Sequence, residues 1–466
     1  MSGRPGAVQT GRQACRHVII GHGPAGLSAA EAIRALDPDA SITIVSEEPY
    51  RFYSRPGLAF YLAKRVPQEQ LFSRPDAYYR HWRIDTVHAR AEGLDPTARL
   101  VHLSGGRRLP YDRLLLATGS AAALPNVPGI DLAGVVTLDS LSDTRTILDA
   151  VRQARSAVVV GGGVTALELI EVFLARGLKV HYLLRRARYW SSVLDEAESG
   201  LVLKRLRDEQ VEIHTETELG QVLGRKGRVA GIETRAGQRI GCEVLGIAIG
   251  VQPRLELARQ AGLPTRKGVL VDGHMRSGVK DIFAAGDIAE VSDGDAPGHL
   301  NMLWPVAIAT GRTAGANMTC ADLADGPAAH GDTADAPGAL YRPGTPFNVC
   351  YLADLWVSIA GQVSPAGADD DLRHAGRGSS EAWQAASPDG DALRVVSGRA
   401  PGAYQRLHVQ GNQLAGAVIM GDQRLATPAR YLIEQAIDLG PVRAALLAPG
   451  ADLAQVLLPF YEAVRA

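Results

Sequence analysis

Two glycine-rich turns hold the residues whose spacing has the clearest chemical use. Gly21-His22-Gly23-Pro24-Ala25-Gly26 fits G-x-G-x-x-G, and Gly161-Gly162-Gly163-Val164-Thr165-Ala166 fits G-x-G-x-x-A. In such a turn the first glycine permits a tight bend. The second lets a pyrophosphate approach the backbone, and the third lets helix and strand pack closely. The helix that follows offers free N–H groups and the positive end of its dipole to phosphates. About twenty residues after the first turn, where a ribose-binding carboxylate is expected, stand Glu47 and Glu48. The same place after the second turn reads Arg185-Arg186-Ala187-Arg188. Arginine there suits a 2′-phosphate, which a carboxylate would repel. Asp287 closes Ala284-Ala285-Gly286-Asp287. It is either a turn residue or, as the better reading, an acceptor for a polyol or ribose hydroxyl. Arg55 is either a surface charge or a guanidinium forked onto a cofactor phosphate.

The elements around these residues follow from hydropathy. Val18-Ile19-Ile20 and Ala157-Val158-Val159-Val160 read as buried strands feeding the two turns. Leu27–Glu31 and Leu167–Arg176 read as the helices after them, the second ending at Gly177. Ser41–Val45 and Val180–Leu184 are the next strands. A helix is expected after Pro56, short strands from His81 to Leu109, and a strand at Tyr111–Leu116 that ends in Ala117-Thr118-Gly119. Leu124–Gly129 reads as a linker, Gln221–Ile240 as hairpins, and Val244–Pro253 as an apolar strand that breaks at Gly250. A helix is expected from Leu303 to Met318, with Trp304 at its start. Beyond Leu340, four strands (Phe347–Leu352, Leu355–Ala360, Leu407–Val409, Leu414–Met420) precede two terminal helices. Two dinucleotide units in one chain mean two dinucleotides, which excludes a simple one-cofactor dehydrogenase.

Composition sets broader bounds. A chain of 466 residues is too long for one core, so two or three domains are expected. The net charge of −1 gives no argument for nucleic acid or an anionic membrane. No apolar run reaches the length of a membrane span. The four cysteines are scattered without metal-ligand spacing, so no metal site is expected and a reducing cytoplasm fits. Met1–Cys15 has no apolar segment and reads as a disordered tail rather than a signal peptide.

The order of motifs is G-x-G-x-x-G, Arg55-Pro56, Ala117-Thr118-Gly119, a second glycine turn, Gly250-x-x-Pro253 and Ala285-Gly286-Asp287. It resembles the two-dinucleotide pyridine nucleotide oxidoreductases, in the branch without a redox disulfide. That branch includes ferredoxin and rubredoxin reductases, NAD(P)H oxidases and the flavin portion of nitrite reductase large subunits. The resemblance implies an α/β fold with two Rossmann-like dinucleotide-binding domains (glutathione-reductase-like) and an α+β C-terminal interface domain. It implies a tail at 1–15, an FAD-binding domain at 16–130 and 245–320, and an NAD(P)-binding domain at 131–244. A linker at 321–339 and an interface domain at 340–466 complete it.

By position, the resemblance implies that Gly21, Gly23, Pro24, Ala25 and Gly26 cradle FAD pyrophosphate. Glu47, or Glu48 if the strand ends one residue later, holds the adenosine ribose. Arg55 lies beside the isoalloxazine or pyrophosphate, and Ala91 offers backbone to adenine. Thr118 and Gly119 pack near the flavin, Asp287 binds the ribityl chain, and Trp304 is a further cofactor-binding residue. Gly161, Gly163 and Ala166 hold NAD(P)H, NADPH slightly favoured through Arg185 and Arg186. Glu168 lies near the carboxamide and Gly250 lines the nicotinamide channel. Arg55 and Glu168 are the expected catalytic residues.

The implied activity is a cytoplasmic FAD-dependent NAD(P)H oxidoreductase passing electrons to an acceptor, foremost a small iron–sulfur protein. Alternatives are an oxidase, diaphorase or quinone reductase with a small acceptor, or a flavoprotein subunit of a larger complex. A homodimer is a further implication. Two departures stand out. No cysteine occurs between Tyr53 and Leu62, so thiol chemistry requires a thiol from elsewhere in the chain. Phe60 stands where ferredoxin reductases carry a lysine beside the flavin.

Overall fold

A computed structural model describes residues 14–292, 298–319, 338–363, 394–400 and 403–465. The expected tail, apart from its last two residues, and the expected linker up to 337 lie outside the described residues.

The apolar strand before each glycine turn becomes the middle of a five-stranded parallel sheet. Arg16–Ile20 lies between Ser41–Ser46 and Arg113–Leu116, with Ile84–His88 and Ile282–Ala284 at the edges. Ser156–Val160 lies between Lys179–Leu183 and Val244–Ile247, flanked by Glu212–His214 and Val135–Val136. Strands covered on both faces need continuous apolar runs. Ile19, Ile44, Leu115, Val158 and Leu245 accordingly have no solvent exposure. Because the first strand has neighbours on both sides, the chain leaves it in opposite directions. A crevice opens at the carboxyl ends of the strands, where the glycine turns lie.

The chain crosses between the two sheets on a small antiparallel pair, Ser120–Ala122 with Val251–Pro253. The apolar run from Val244 divides across the expected break at Gly250 into two strands, Val244–Ile247 and Val251–Pro253. The expected boundary between 244 and 245 cuts a strand that is hydrogen-bonded to Ser156–Val160 and so belongs to the second unit.

The Trp304–Thr319 helix returns to the first unit and packs on Pro24–Leu36. A Cβ on Gly311 would stand 2.2 Å from the Ala25 carbonyl oxygen, so these helices touch backbone to backbone. That contact fixes the helix carrying Trp304 against the first glycine turn.

The C-terminal segment forms an antiparallel sheet in the order Phe347–Leu352, Leu355–Gly361, Gln413–Met420, Ala403–Gln410, Arg394–Ala400. The last of these strands was not anticipated. Three helices follow it rather than two: Ala426–Glu434, Gly440–Leu446 and Leu453–Arg465. Pro441 sits in the first turn of the second, where its missing N–H costs nothing. The left-handed Gly450 then precedes the third. The sheet is joined to the second unit by a buried ion pair. Arg406 donates to both oxygens of Glu198, from Nε at 2.8 Å and Nη2 at 2.9 Å. Among the described residues no helix is long and apolar enough to cross a membrane.

Candidate functional site

The first strand ends at Gly21, whose N–H donates to the Val45 carbonyl. Its φ is +121°, and a Cβ there would stand 2.0 Å from the Ala117 carbonyl oxygen. The turn therefore passes directly over the neighbouring strand end. Gly23 begins the Pro24–Leu36 helix with no side-chain cap, and a Cβ there would meet nothing within 4 Å. Uncapped N–H groups and the positive dipole end thus face open space. Gly26 does something else. A Cβ there would stand 2.1 Å from the Gly21 carbonyl oxygen, so it locks helix to turn and lies off the cavity wall.

The second turn repeats this geometry. A Cβ on Gly161 would stand 2.1 Å from the Ala248 carbonyl oxygen, while Gly163 opens its helix uncapped with free space around it. Ala166 is fully buried beneath. Both helices reach one cavity of about 910 Å³, the first through Gly23, Pro24 and Ala25, the second through Val164, Thr165 and Glu168. Gly161, Gly163 and Ala166 stand behind that wall.

At one end of the cavity Ala91 and Glu47 form part of the wall. Glu47 pairs with Arg254 at 3.1 Å, and Arg254 reaches Asp139 at 3.5 Å. Glu48 is engaged differently. It accepts from Tyr53 Oη at 2.6 Å and from Arg55 Nη2 at 3.3 Å. The strand end thus presents Glu47 toward Arg254 and turns Glu48 into a network around Arg55. Arg55 also donates to the Asp139 carbonyl and stands over the Tyr53 ring. It lines the cavity with its guanidinium held, which distinguishes it from a free surface charge.

Asp287 accepts from Ser120 Oγ at 2.7 Å. Burial raises its pKa, against the Ser120 hydrogen bond and the Arg55 charge. The turn before it is fixed by the Gly286 N–H donating to Thr310 Oγ1 at 3.0 Å. Thr118 donates to the Arg254 carbonyl, and the Arg254 N–H donates to the Gly119 carbonyl. Trp304 joins the same wall, its ring 5.9 Å from that of Phe52.

Glu168 and Glu171, one turn apart on the second helix, bring two carboxyl groups to the cavity. Burial lifts Glu168 to about 7, and the Glu171 charge adds to the effect. Burial likewise lifts Glu171 to about 7, against the pull of Arg65. Arg65 pairs with Glu171 at 3.3 Å and lies 4.6 Å over the Tyr351 ring. The Ala353 N–H donates to Glu171 Oε1. The C-terminal sheet therefore supplies part of the wall, through Cys350, Tyr351 and Trp356. Among the described residues Cys350 is the thiol that arrives from elsewhere, yet it is buried and donates to the Val357 carbonyl. Burial, with Glu168 beside it, pushes that thiol far above its ordinary pKa, away from the reactive thiolate.

Besides Gly26, Gly161, Gly163 and Ala166, three more expected site residues are absent from the cavity wall. Arg185 and Arg186 are exposed just beyond Lys179–Leu183. Gly250, at φ +113°, accepts from the Ala123 N–H at the crossing between sheets. Sequence reasoning missed Arg254, Asp139, Tyr53, Arg65 and the C-terminal wall. Arg254 directly follows Gly250-x-x-Pro253, a signal that was available; the others carry none.

The cavity suits a flavin dinucleotide on three observations. Two uncapped helix ends face it or stand beside it, Gly23 leaves room for a phosphate, and Asp287 and Glu47 place hydroxyl acceptors along it.

The model of the pyridine nucleotide-disulphide oxidoreductase family matches residues 15–311. The chain is 31% identical over 274 residues to a rubredoxin-NAD(+) reductase of Pseudomonas putida, covering 58% of this chain and 71% of that one. It is 33% identical to a rhodocoxin reductase of Rhodococcus erythropolis, covering 58% of this chain and 64% of the relative. The crystal structure of a ferredoxin reductase from Rhodopseudomonas palustris superposes with a TM-score of 0.77 at 21% identity. That match covers 95% of this chain and 99% of the other.

Proposed function

The chain belongs to the pyridine nucleotide-disulphide oxidoreductase family, and from that premise we propose an FAD-dependent NAD(P)H oxidoreductase that serves a small iron–sulfur electron-transfer protein. The observation that carries this reading is the pair of glycine turns meeting one cavity. Bound FAD would supply the chemistry, taking a hydride from NAD(P)H and releasing electrons to the acceptor.

The chain's own residues bind, orient and exclude water. The N–H groups after Gly23 would hold the pyrophosphate, and Glu47 the adenosine ribose. Asp287, steadied by Ser120, would accept from a ribityl hydroxyl. Arg55 is braced by Glu48 and Asp139 and would place positive charge beside the flavin end. Gly163 and Glu168 would seat the nicotinamide dinucleotide across from it. Arg185 and Arg186, with no carboxylate at that strand end, support a preference for NADPH.

Two observations support a protein acceptor. Among the described residues no thiolate is at hand to relay electrons, and the exposed apolar Val349 and Trp356 lie on the cavity wall. An oxidase or diaphorase acting on dioxygen or a quinone is the second reading, favoured by the cavity's volume. Steady-state NAD(P)H consumption with rubredoxin, a [2Fe–2S] ferredoxin, a quinone or air alone separates the two. The first reading expects an iron–sulfur protein to accelerate turnover far above the rate in air. Equal rates with and without such a protein would overturn it.

A further inference from the structure

At the edge of the second unit's parallel sheet, two neighbouring strands bring together three residues that the proposed reaction does not use. His181 lies in Lys179–Leu183, and Glu212 and His214 lie in the edge strand Glu212–His214. Register pairs His181 with Glu212. Glu212 and His214 are two residues apart and so share a face of the sheet. His181 Nδ1 lies 3.2 Å from His214 Nε2 and 3.3 Å from Glu212 Oε2. All three ligand atoms fall within 4.8 Å of one another. None of the three residues lines the main cavity.

We propose that His181, Glu212 and His214 form a binding site for a borderline divalent transition-metal ion, Zn²⁺ being the simplest occupant. A tetrahedral ion about 2.0–2.1 Å from each ligand separates any two ligand atoms by about 3.3 Å. Two of the three separations already have that value. The third closes by rotation of the Glu212 side chain, which is 69% exposed and free to turn. Two imidazoles and one carboxylate suit Zn²⁺, Co²⁺ or Ni²⁺, whereas Ca²⁺ and Mg²⁺ call for oxygen ligands. Three protein ligands leave a fourth position to water or an exogenous group.

The ion would tie the edge strand to its neighbour. The His214 carbonyl accepts from the Leu184 N–H at 2.8 Å, and the Leu184 carbonyl accepts from the Thr217 N–H at 2.9 Å. The clamp therefore lies directly below the turn that carries Arg185 and Arg186. It requires no role for those arginines, and stands or falls independently of the proposed reaction.

Equilibrium dialysis of the tag-free, FAD-loaded chain against Zn²⁺, with metal measured by atomic spectrometry, tests the proposal. The wild-type chain is expected to bind one equivalent more than His181→Ala or His214→Ala. Glu212→Gln changes an exposed side chain and keeps the fold; it is expected to bind roughly tenfold or more weakly. His81→Ala, at an exposed histidine elsewhere, keeps the wild-type value. Co²⁺ gives a second reading, an intense visible band to the red of flavin absorption in the wild type that is lost in His214→Ala. Equal binding by wild type and Glu212→Gln, or no Co²⁺ band in the wild type, would overturn the site.

Discussion

Replacing Gly23 and Gly163 by alanine, one at a time, is expected to disable the two nucleotide sites separately. Gly23 has φ −87° and ψ −171°, ordinary extended backbone that alanine adopts, and its Cβ would meet no atom within 4 Å. The same holds for Gly163, at φ −121°. The fold therefore tolerates both changes, unlike Gly21→Ala, whose Cβ would strike the Ala117 carbonyl at 2.0 Å. Each new methyl group occupies the space through which a phosphate must approach the helix N-terminus. Losing one charge-assisted hydrogen bond there costs about 1.5–3 kcal/mol. That is roughly a ten- to hundredfold weaker complex per bond lost. Gly23→Ala should leave a folded protein depleted of FAD. Gly163→Ala should stay yellow while its KM for NAD(P)H rises by that factor. Flavin per chain after gel filtration, circular dichroism and steady-state kinetics read the three quantities. Wild-type FAD affinity in Gly23→Ala, or flavin loss in Gly163→Ala with unchanged NAD(P)H kinetics, would refute the assignment of the two turns.

Other residues give independent tests. Changing Arg185 and Arg186 to alanine together should lower kcat/KM for NADPH at least about tenfold, with little change for NADH; an equal fall for both would remove the 2′-phosphate role. Glu168 has its folded pKa raised to about 7. Its ionisation therefore destabilises the fold, increasingly as pH rises from the unfolded carboxylate value and fully above 7. Glu168→Gln should accordingly stabilise the protein by roughly 2–3 kcal/mol near pH 8 and by under about 1 kcal/mol near pH 5, read by urea unfolding at each pH. Glu198→Ala removes both carboxylate hydrogen bonds from the Arg406 guanidinium, 2% exposed, and leaves it Asp195 alone, at 3.6 Å. The expected loss is about 3–5 kcal/mol, seen as a lowered denaturation midpoint; a change under about 1 kcal/mol would mean the pair is solvated.

The parallel sheets were legible because a strand buried on both faces must be apolar along its length, as Val18–Ile20 and Ala157–Val160 are by pattern. The glycine turns were legible because their spacing is dictated by backbone contact, now visible between Gly21 and Ala117 and between Gly161 and Ala248. Glu47 and Glu48 could not be told apart by sequence. The choice depends on which side chain meets Tyr53 and Arg55, residues brought near by a later turn. The break in the Val244–Pro253 run was visible at Gly250, but its consequence was not. Only the pairing of Val251–Pro253 with Ser120–Ala122 shows the chain changing sheets there. The C-terminal wall was invisible for a similar reason. Arg65, Glu171 and Tyr351 meet across about 290 residues of chain and match no local pattern.

The most direct test of the central claim is anaerobic mixing of the purified chain with one equivalent of NADPH or NADH per flavin, followed at the oxidised-flavin band. The cofactor released by acid should be FAD. The account predicts that the band bleaches fully at one nicotinamide per FAD, because among the described residues Cys350 alone lines the cavity and no thiol pair stands there to take up a second, and at least as fast as steady-state turnover with an iron–sulfur acceptor. A band that stays unbleached with either nicotinamide, or a released cofactor other than FAD, would contradict it.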